Sequence, residues 1–293
     1  MSVAAQEAFL RSFHATRPAV TTDALGAGRV PDGRTSYQVL RDTVSGRRRV
    51  LDLGCGDGYL LELLAASPHR RLTGLDLSPE ALAAARARPA LAQARLLLGR
   101  AQEMPFPADS FDACVSHMAL MLMAELDQVA AEIARVLEPG GVLAVVLGGG
   151  GVPGTAYEVF LDLTRAVLEE VPEDRRMPAL GDQRARSREG LSGVLGAAGF
   201  APLDWRAVRL DLTGPFDAVW LAMSGIYDLD PLDSAALATL RTAFDAAAPR
   251  LPDGRVPCAM TLHVAVTRLP RSSGRAVNPV VPHRDGEGTL RNV

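Results

Sequence analysis

The stretch RVLDLGCGDG, Arg49 to Gly58, constrains this chain more than any other. Val50, Leu51 and Leu53 make a short apolar run of the kind that a parallel strand buried on both faces requires. Gly54, Gly56 and Gly58 follow at alternate positions, and Tyr59 to Ala66 then sets Leu60, Leu61, Leu63 and Leu64 in a helical pattern. A strand that turns through glycines into a helix leaves free N–H groups at the helix start, where an anionic group is favoured. Glycine permits both the tight turn and the close approach of a ligand to the backbone. The spacing is G-x-G-x-G, not the G-x-G-x-x-G of dinucleotide-binding turns. An acid, Asp52, stands two residues ahead of the first glycine. A tight βα turn without a ligand is the alternative for this stretch alone.

From Val50 to Leu147 strands alternate with helices. Leu72–Leu75, Arg95–Leu98, Phe111–Ser116 and Val142–Leu147 read as strands. Glu80–Arg88 reads as a helix with Ser78 as N-cap and Pro79 at its first position. Asp127–Leu137 reads as a helix with apolar Val129, Ile133, Val136 and Leu137, and Pro139-Gly140-Gly141 as a turn. This order predicts an α/β fold, a doubly wound parallel sheet. Ahead of it, residues 2–15 read as an amphipathic helix, 16–36 as a loop and Thr35–Val44 as a second helix. Behind it, helices are expected at Tyr157–Glu170, Arg188–Ala198, Phe216–Tyr227 and Ser234–Ala247, strands at Leu203–Leu212 and Cys258–Thr267, and an exposed loop at Asp174–Arg188. Residues 271–293 lack apolar periodicity and read as a disordered tail.

Composition narrows the function. A net charge of −3 argues against a nucleic-acid protein, whose surface is usually basic. The longest apolar runs are too short to span a membrane, and the N-terminus does not have the form of a secretory signal. Cys55, Cys114 and Cys258 are odd in number and show neither zinc spacing nor a disulfide framework, so a cytoplasmic setting and no metal are expected. The chain contains no lysine, which removes Schiff-base chemistry and any lysine base.

Asp76 ends the second strand, 18 residues beyond Gly58. Ligands of open α/β sheets lie outside the carboxyl ends of the strands, and a carboxylate there can accept both hydroxyls of a ribose. The third signal is GRAQEMPFPADSFDACVSHMALMLM, Gly99 to Met123, and the fourth is RVLEPGG, Arg135 to Gly141. In this order the four motifs resemble a class I methyltransferase dependent on S-adenosylmethionine (SAM), of the ubiquinone-biosynthesis, small-molecule type. Gly99, Ala101, Pro105, Phe106, Ser110, Phe111 and Asp112 match that family's adenine segment. Arg100 stands where the family usually has an acid. The resemblance covers about a third of the chain strongly.

The resemblance implies a Rossmann-like, doubly wound, seven-stranded sheet whose last strand is antiparallel. It implies SAM as cofactor, held by Tyr37, Asp52, Gly54, Cys55, Gly56, Asp76, Leu77, Ala101, Gln102 and Ser116. Ala101 would offer its N–H to adenine, Gln102 or Glu103 would take the exocyclic amine, and the Ser116 carbonyl would meet the methionine ammonium. His117, just past the fourth strand, is the candidate general base, with plain packing as its alternative. Residues 1–45 are expected to form a helical lid. Residues 46–270 are expected to form the methyltransferase domain, with acceptor-cap insertions at about 152–190 and 214–250. The partner expected is a small, partly hydrophobic acceptor, a secondary metabolite. Two other readings stay open here: an NAD-dependent dehydrogenase of related topology, and a non-catalytic SAM-binding module.

Overall fold

The apolar run ahead of the glycine turn forms β1 (Arg49–Leu53), with β2 (Arg71–Asp76) and β4 (Phe111–His117) parallel on either side. β3 (Arg95–Leu98) and β5 (Leu137–Gly151) extend the sheet in parallel. β7 (Ala259–Arg268) enters antiparallel between β5 and β6 (Asp204–Asp211), giving seven strands in the order β3-β2-β1-β4-β5-β7-β6. The chain reverses direction of travel across the sheet at β1 and β4, which opens a crevice beyond their carboxyl ends. The computed structural model describes residues 2–177 and 180–271. The expected disordered tail at 271–293 therefore lies, beyond Arg271, outside the described residues.

Period-two alternation fills both faces of the sheet. Leu143, Val145 and Leu147 of β5 pack in one core with α6 (Leu126–Val136) and α8 (Arg188–Ala197). Val142, Ala144 and Val146 pack in the other with α3 (Ser36–Thr43), α4 (Tyr59–Ala65) and α5 (Pro79–Arg86). α6 shows why its sequence becomes a helix: Val129, Ala130, Ile133 and Val136 recur at helical spacing and all are buried. α5 starts where expected, with the Ser78 hydroxyl accepting from the Ala81 N–H at 3.1 Å. α3 starts on a capping box between Thr35 and Gln38.

Three expectations change in the structure. The loop expected over 16–36 contains a short helix, α2 (Val20–Leu25), between α1 (Val3–Thr16) and α3. Pro139-Gly140-Gly141 is not a separate turn. It is taken up inside β5, where pairing with β4 jumps from Phe111↔Leu137 to Ala113↔Val142. Leu269 anchors this bulge by exchanging backbone hydrogen bonds with Gly140 and Gly141. The charged 174–188 segment holds two 3-10 turns, Glu173–Arg175 and Gln183–Arg186.

The segments inserted around β6 form a third core of their own. There α7 (Ala156–Glu169), α9 (Phe216–Ser224) and α10 (Ser234–Ala247) close around Phe160 and Phe244, whose rings meet edge to face at 5.5 Å. No helix among the described residues is long and apolar enough to cross a membrane.

Candidate active site

The three glycines after β1 all take left-handed φ, +74° at Gly54, +52° at Gly56 and +79° at Gly58. A Cβ on Gly54 would lie 2.4 Å from the Ala119 Cβ, and one on Gly58 would lie 2.6 Å from Leu91, so these two also serve close packing. A Cβ on Gly56 would meet nothing within 4 Å. Gly56 is thus required by its backbone angle, and the space before it is open. Its N–H donates to Asp76 Oδ2 at 2.7 Å, while the Ser78 N–H donates to Oδ1 at 2.9 Å. Asp76 therefore ties the glycine loop to the end of β2, and each oxygen keeps a further lone pair.

Asp52 projects into the same space from the end of β1. It is buried, and its Oδ2 has no hydrogen-bond partner. Burial first, and then the neighbouring Asp76 and Asp57 carboxylates, hold its pKa well above the usual range. Asp57 is differently placed: Arg88 pairs with it, and the Thr22 hydroxyl donates to it at 2.8 Å. Three carboxylates around one crevice make a site for positive charge.

Tyr37 and His117 form the wall beside them. Their rings stack at 3.7 Å with planes 17° apart. His117 Nε2 is hydrogen-bonded to the Ser36 hydroxyl at 2.9 Å, and its Nδ1 is buried without a partner. Burial pushes the His117 pKa down to about 3. An imidazole in that state is neutral throughout the physiological range and a weak proton acceptor. The expectation of a base poised near neutrality thus meets a stacked, hydrogen-bonded ring, because α3 closes over β4.

The crevice continues past Gly54 and Asp76 along Leu77, Gly99, Ala101 and Gln102. The Gln102 side-chain amide donates to the Ala124 carbonyl at 2.9 Å, which leaves its oxygen free. Of the expected site residues, Ser116 and the alternative adenine contact Glu103 do not line the crevice; the Ser116 hydroxyl is buried beside the sheet without a partner.

Helix α1, expected only as part of a lid, lines the crevice through Gln6, Glu7, Leu10, Arg11 and His14, none of which sequence reasoning singled out for the site. The Gln6 amide donates to the Leu122 carbonyl at 2.8 Å and accepts from the Gly181 N–H at 3.1 Å. Glu7 accepts from Arg100 Nε at 2.7 Å, answering the cation at the position where an acid was expected. His14 meets the Tyr227 hydroxyl at 3.1 Å. The heptad separation of Glu7 and His14 places both on one face of α1. That signal was available, but it did not say which surface the face would meet.

Comparison with known proteins places the chain's family and fold. A family model described as a methyltransferase domain matches residues 51–145. The trans-aconitate 2-methyltransferase of Methylobacterium nodulans is 34% identical over 219 residues, which cover 71% of this chain and 81% of that protein. The malonyl-[acyl-carrier protein] O-methyltransferase of Halorhodospira halophila is 31% identical over 221 residues, covering 72% and 70% respectively. Among solved structures, phosphoethanolamine N-methyltransferase 2 of Haemonchus contortus, in complex with S-adenosylhomocysteine, superposes with a TM-score of 0.56. It covers 91% of this chain and 60% of that one at 19% identity, a likeness of fold.

Proposed function

The chain belongs to the class I SAM-dependent methyltransferases, and from that membership we propose how its crevice works. It is an enzyme that uses SAM as cofactor, and the dehydrogenase reading falls with that assignment. In our proposal Asp76 accepts the ribose hydroxyls with its remaining lone pairs. Leu77, Ala101 and the free oxygen of Gln102 take the adenine. Gly54, Cys55, Gly56 and Tyr37 enclose the methionine end, and the Ser116 carbonyl backs it from the sheet. Asp52 meets the ammonium.

The observation that carries this reading is Asp52. A buried carboxyl oxygen without a partner is costly, and an ammonium beside the glycine loop relieves it. Once bound, SAM supplies an electrophilic methyl carbon on a sulfonium. The chain's contribution is orientation and charge: Asp52, Asp57 and Asp76 favour a cation in the crevice, and α1 excludes water. Orientation of this kind is worth about 7–11 kcal/mol of barrier in favourable cases. His117 serves in this proposal as a neutral partner that fixes Tyr37 rather than as the base.

Residues 1–45 act as the lid and the segments 152–190 and 214–250 as the acceptor cap. Pro18, Met118, Leu122 and Tyr227 face the methionine half of the crevice, which suits a small, partly hydrophobic acceptor of the secondary-metabolite kind. Calorimetry with SAM, S-adenosylhomocysteine and NAD tests the cofactor. A panel of hydroxyl, amine, carbon and carboxylate acceptors, read by mass for one added methyl group, tests the acceptor class. SAM binding with turnover of a small apolar acceptor is expected; tight NAD binding without SAM binding would sink the reading.

A further inference from the structure

We propose that Tyr227 and His14 form a proton relay at the acceptor end of the crevice and that the acceptor is a neutral hydroxyl, a phenol or an alcohol; this rests on the cofactor site proposed above. His14 comes from the last turn of α1 and lines both halves of the crevice. Tyr227 comes from the cap and lines the methionine half beside Tyr37, Met118 and Leu122. The hydroxyl and His14 Nε2 are 3.1 Å apart. The Arg17 backbone beside the ring favours its charged form. In the relay Nε2 is the lone-pair nitrogen, and the Tyr227 O–H donates to it. The tyrosine oxygen keeps two lone pairs for a hydroxyl from the crevice.

The pair is held in place. Tyr227 packs against Phe13 at 4.6 Å and against Phe9 at 6.2 Å between ring centroids. Burial keeps the phenol protonated and lowers the His14 pKa, while the Asp76 carboxylate facing the ring raises it. The other charges near His14 are already paired, Arg17 with Asp230 of the cap and Arg100 with Glu7. Its place at a helix C-terminus also favours the imidazolium. The remaining described histidines lack such a path. His117 is engaged with Ser36, His69 is exposed between α4 and β2, and His263 lies on β7 beside Trp205.

The charge lining chooses the acceptor class. The methionine half of the crevice is lined by Asp52, Asp57 and Asp76 and, among the described residues, by no arginine; the chain has no lysine. With Asp57 already paired to Arg88 and Asp52 and Asp76 given to the cofactor, a polycarboxylate would find, among the described residues, no free cation of this chain in that half. A carboxylate also has no proton to give up at neutral pH, which would leave the relay idle. A neutral hydroxyl both fits the lining and needs a proton acceptor. In the step, an oxygen lone pair of the acceptor bonds to the methyl carbon while the carbon–sulfur bond breaks and its electrons stay on sulfur. The acceptor's proton passes to the Tyr227 oxygen as the tyrosine's own proton moves to His14 Nε2. The products are a methyl ether, S-adenosylhomocysteine and an imidazolium that later releases its proton to water.

The test uses the full chain with catechol, 4-methoxyphenol and benzyl alcohol as acceptors, and with benzylamine and trans-aconitate as contrasts. Tyr227→Phe and His14→Gln should each lower kcat on the hydroxyl acceptors by about 10²–10⁴ and abolish the acidic limb of the pH profile. SAM affinity by calorimetry should stay as in the wild type, which also shows that the variants fold. With 4-nitrothiophenol, which ionises unaided, both variants should recover most of the wild-type rate. A Tyr227→Phe enzyme with full kcat and an intact acidic limb overturns the relay. A wild type that binds SAM yet methylates only benzylamine or trans-aconitate, or nothing in the panel, overturns it as well while leaving the cofactor site standing. Failure to bind SAM removes both.

Discussion

Replacing Asp52 by asparagine should make the free enzyme more stable and its cofactor binding weaker. The Asp52 side chain belongs to a residue 1% exposed, one of its oxygens has no partner, and Asp76 and Asp57 add to its high pKa. A native pKa above the unfolded one means that the folded chain holds the proton more tightly. Stability from this group is therefore full below the ordinary carboxyl pKa of about 4 and is lost as pH rises toward the native value. At neutrality the wild type carries that loss and the asparagine variant does not. Leaving a buried neutral polar group unsatisfied costs about 1–3 kcal/mol and a charged one more, so the variant keeps only the smaller cost. Each kcal/mol moves the melting temperature of a large domain by about 2–4 °C, so at pH 7 without SAM the variant should melt several degrees higher. Below pH 4 the difference should vanish, since Asp52 is then protonated in both states. With SAM the order turns: losing a charged hydrogen bond of about 1.5–3 kcal/mol weakens affinity about tenfold to a hundredfold. Scanning fluorimetry across pH, with calorimetry for affinity, reads both effects. Unchanged SAM affinity would refute the ammonium assignment, and a variant that melts below the wild type at pH 7 would refute the reasoning from buried charge.

Asp76→Ala should weaken SAM binding by more than tenfold and also loosen the glycine loop, because both the Gly56 and Ser78 N–H groups lose their acceptor; calorimetry and amide exchange at residues 54–58 check it. His117→Ala should lower kcat by less than tenfold and leave the acidic limb of the pH profile in place, since a ring whose pKa lies near 3 is already neutral; a loss of the limb would return His117 to the role of base. Amide exchange across 9–37 should slow when S-adenosylhomocysteine is added, as Gln6 and Glu7 fasten α1 over the crevice; protection confined to the glycine loop would count against a lid. Ile133→Ala, at a fully buried position of α6, should cost about 2–5 kcal/mol in denaturant unfolding while sparing SAM affinity.

The architecture and the first half of the site could be read from the sequence because their causes are local. Val50, Leu51 and Leu53 demand a buried strand, the glycines demand left-handed turns, and alternation over Val50–Leu147 dictates the winding that brings Asp76 beside Gly56. The antiparallel last strand was implied by the family resemblance rather than by its own apolar pattern. Hydrogen-bond satisfaction and proton affinity could not be read in the same way, because both depend on residues brought from far along the chain. Arg100, unexplained where an acid was expected, is answered by Glu7, 93 positions earlier. His117 loses its basicity to burial, under a helix whose Ser36, 81 positions away, also takes its Nε2. His14 carried no ligand spacing at all; its meaning comes from Tyr227, 213 positions distant. Backbone angles and apolar periodicity are properties of near neighbours, whereas the charge state of a buried group is set by whatever the completed fold packs against it.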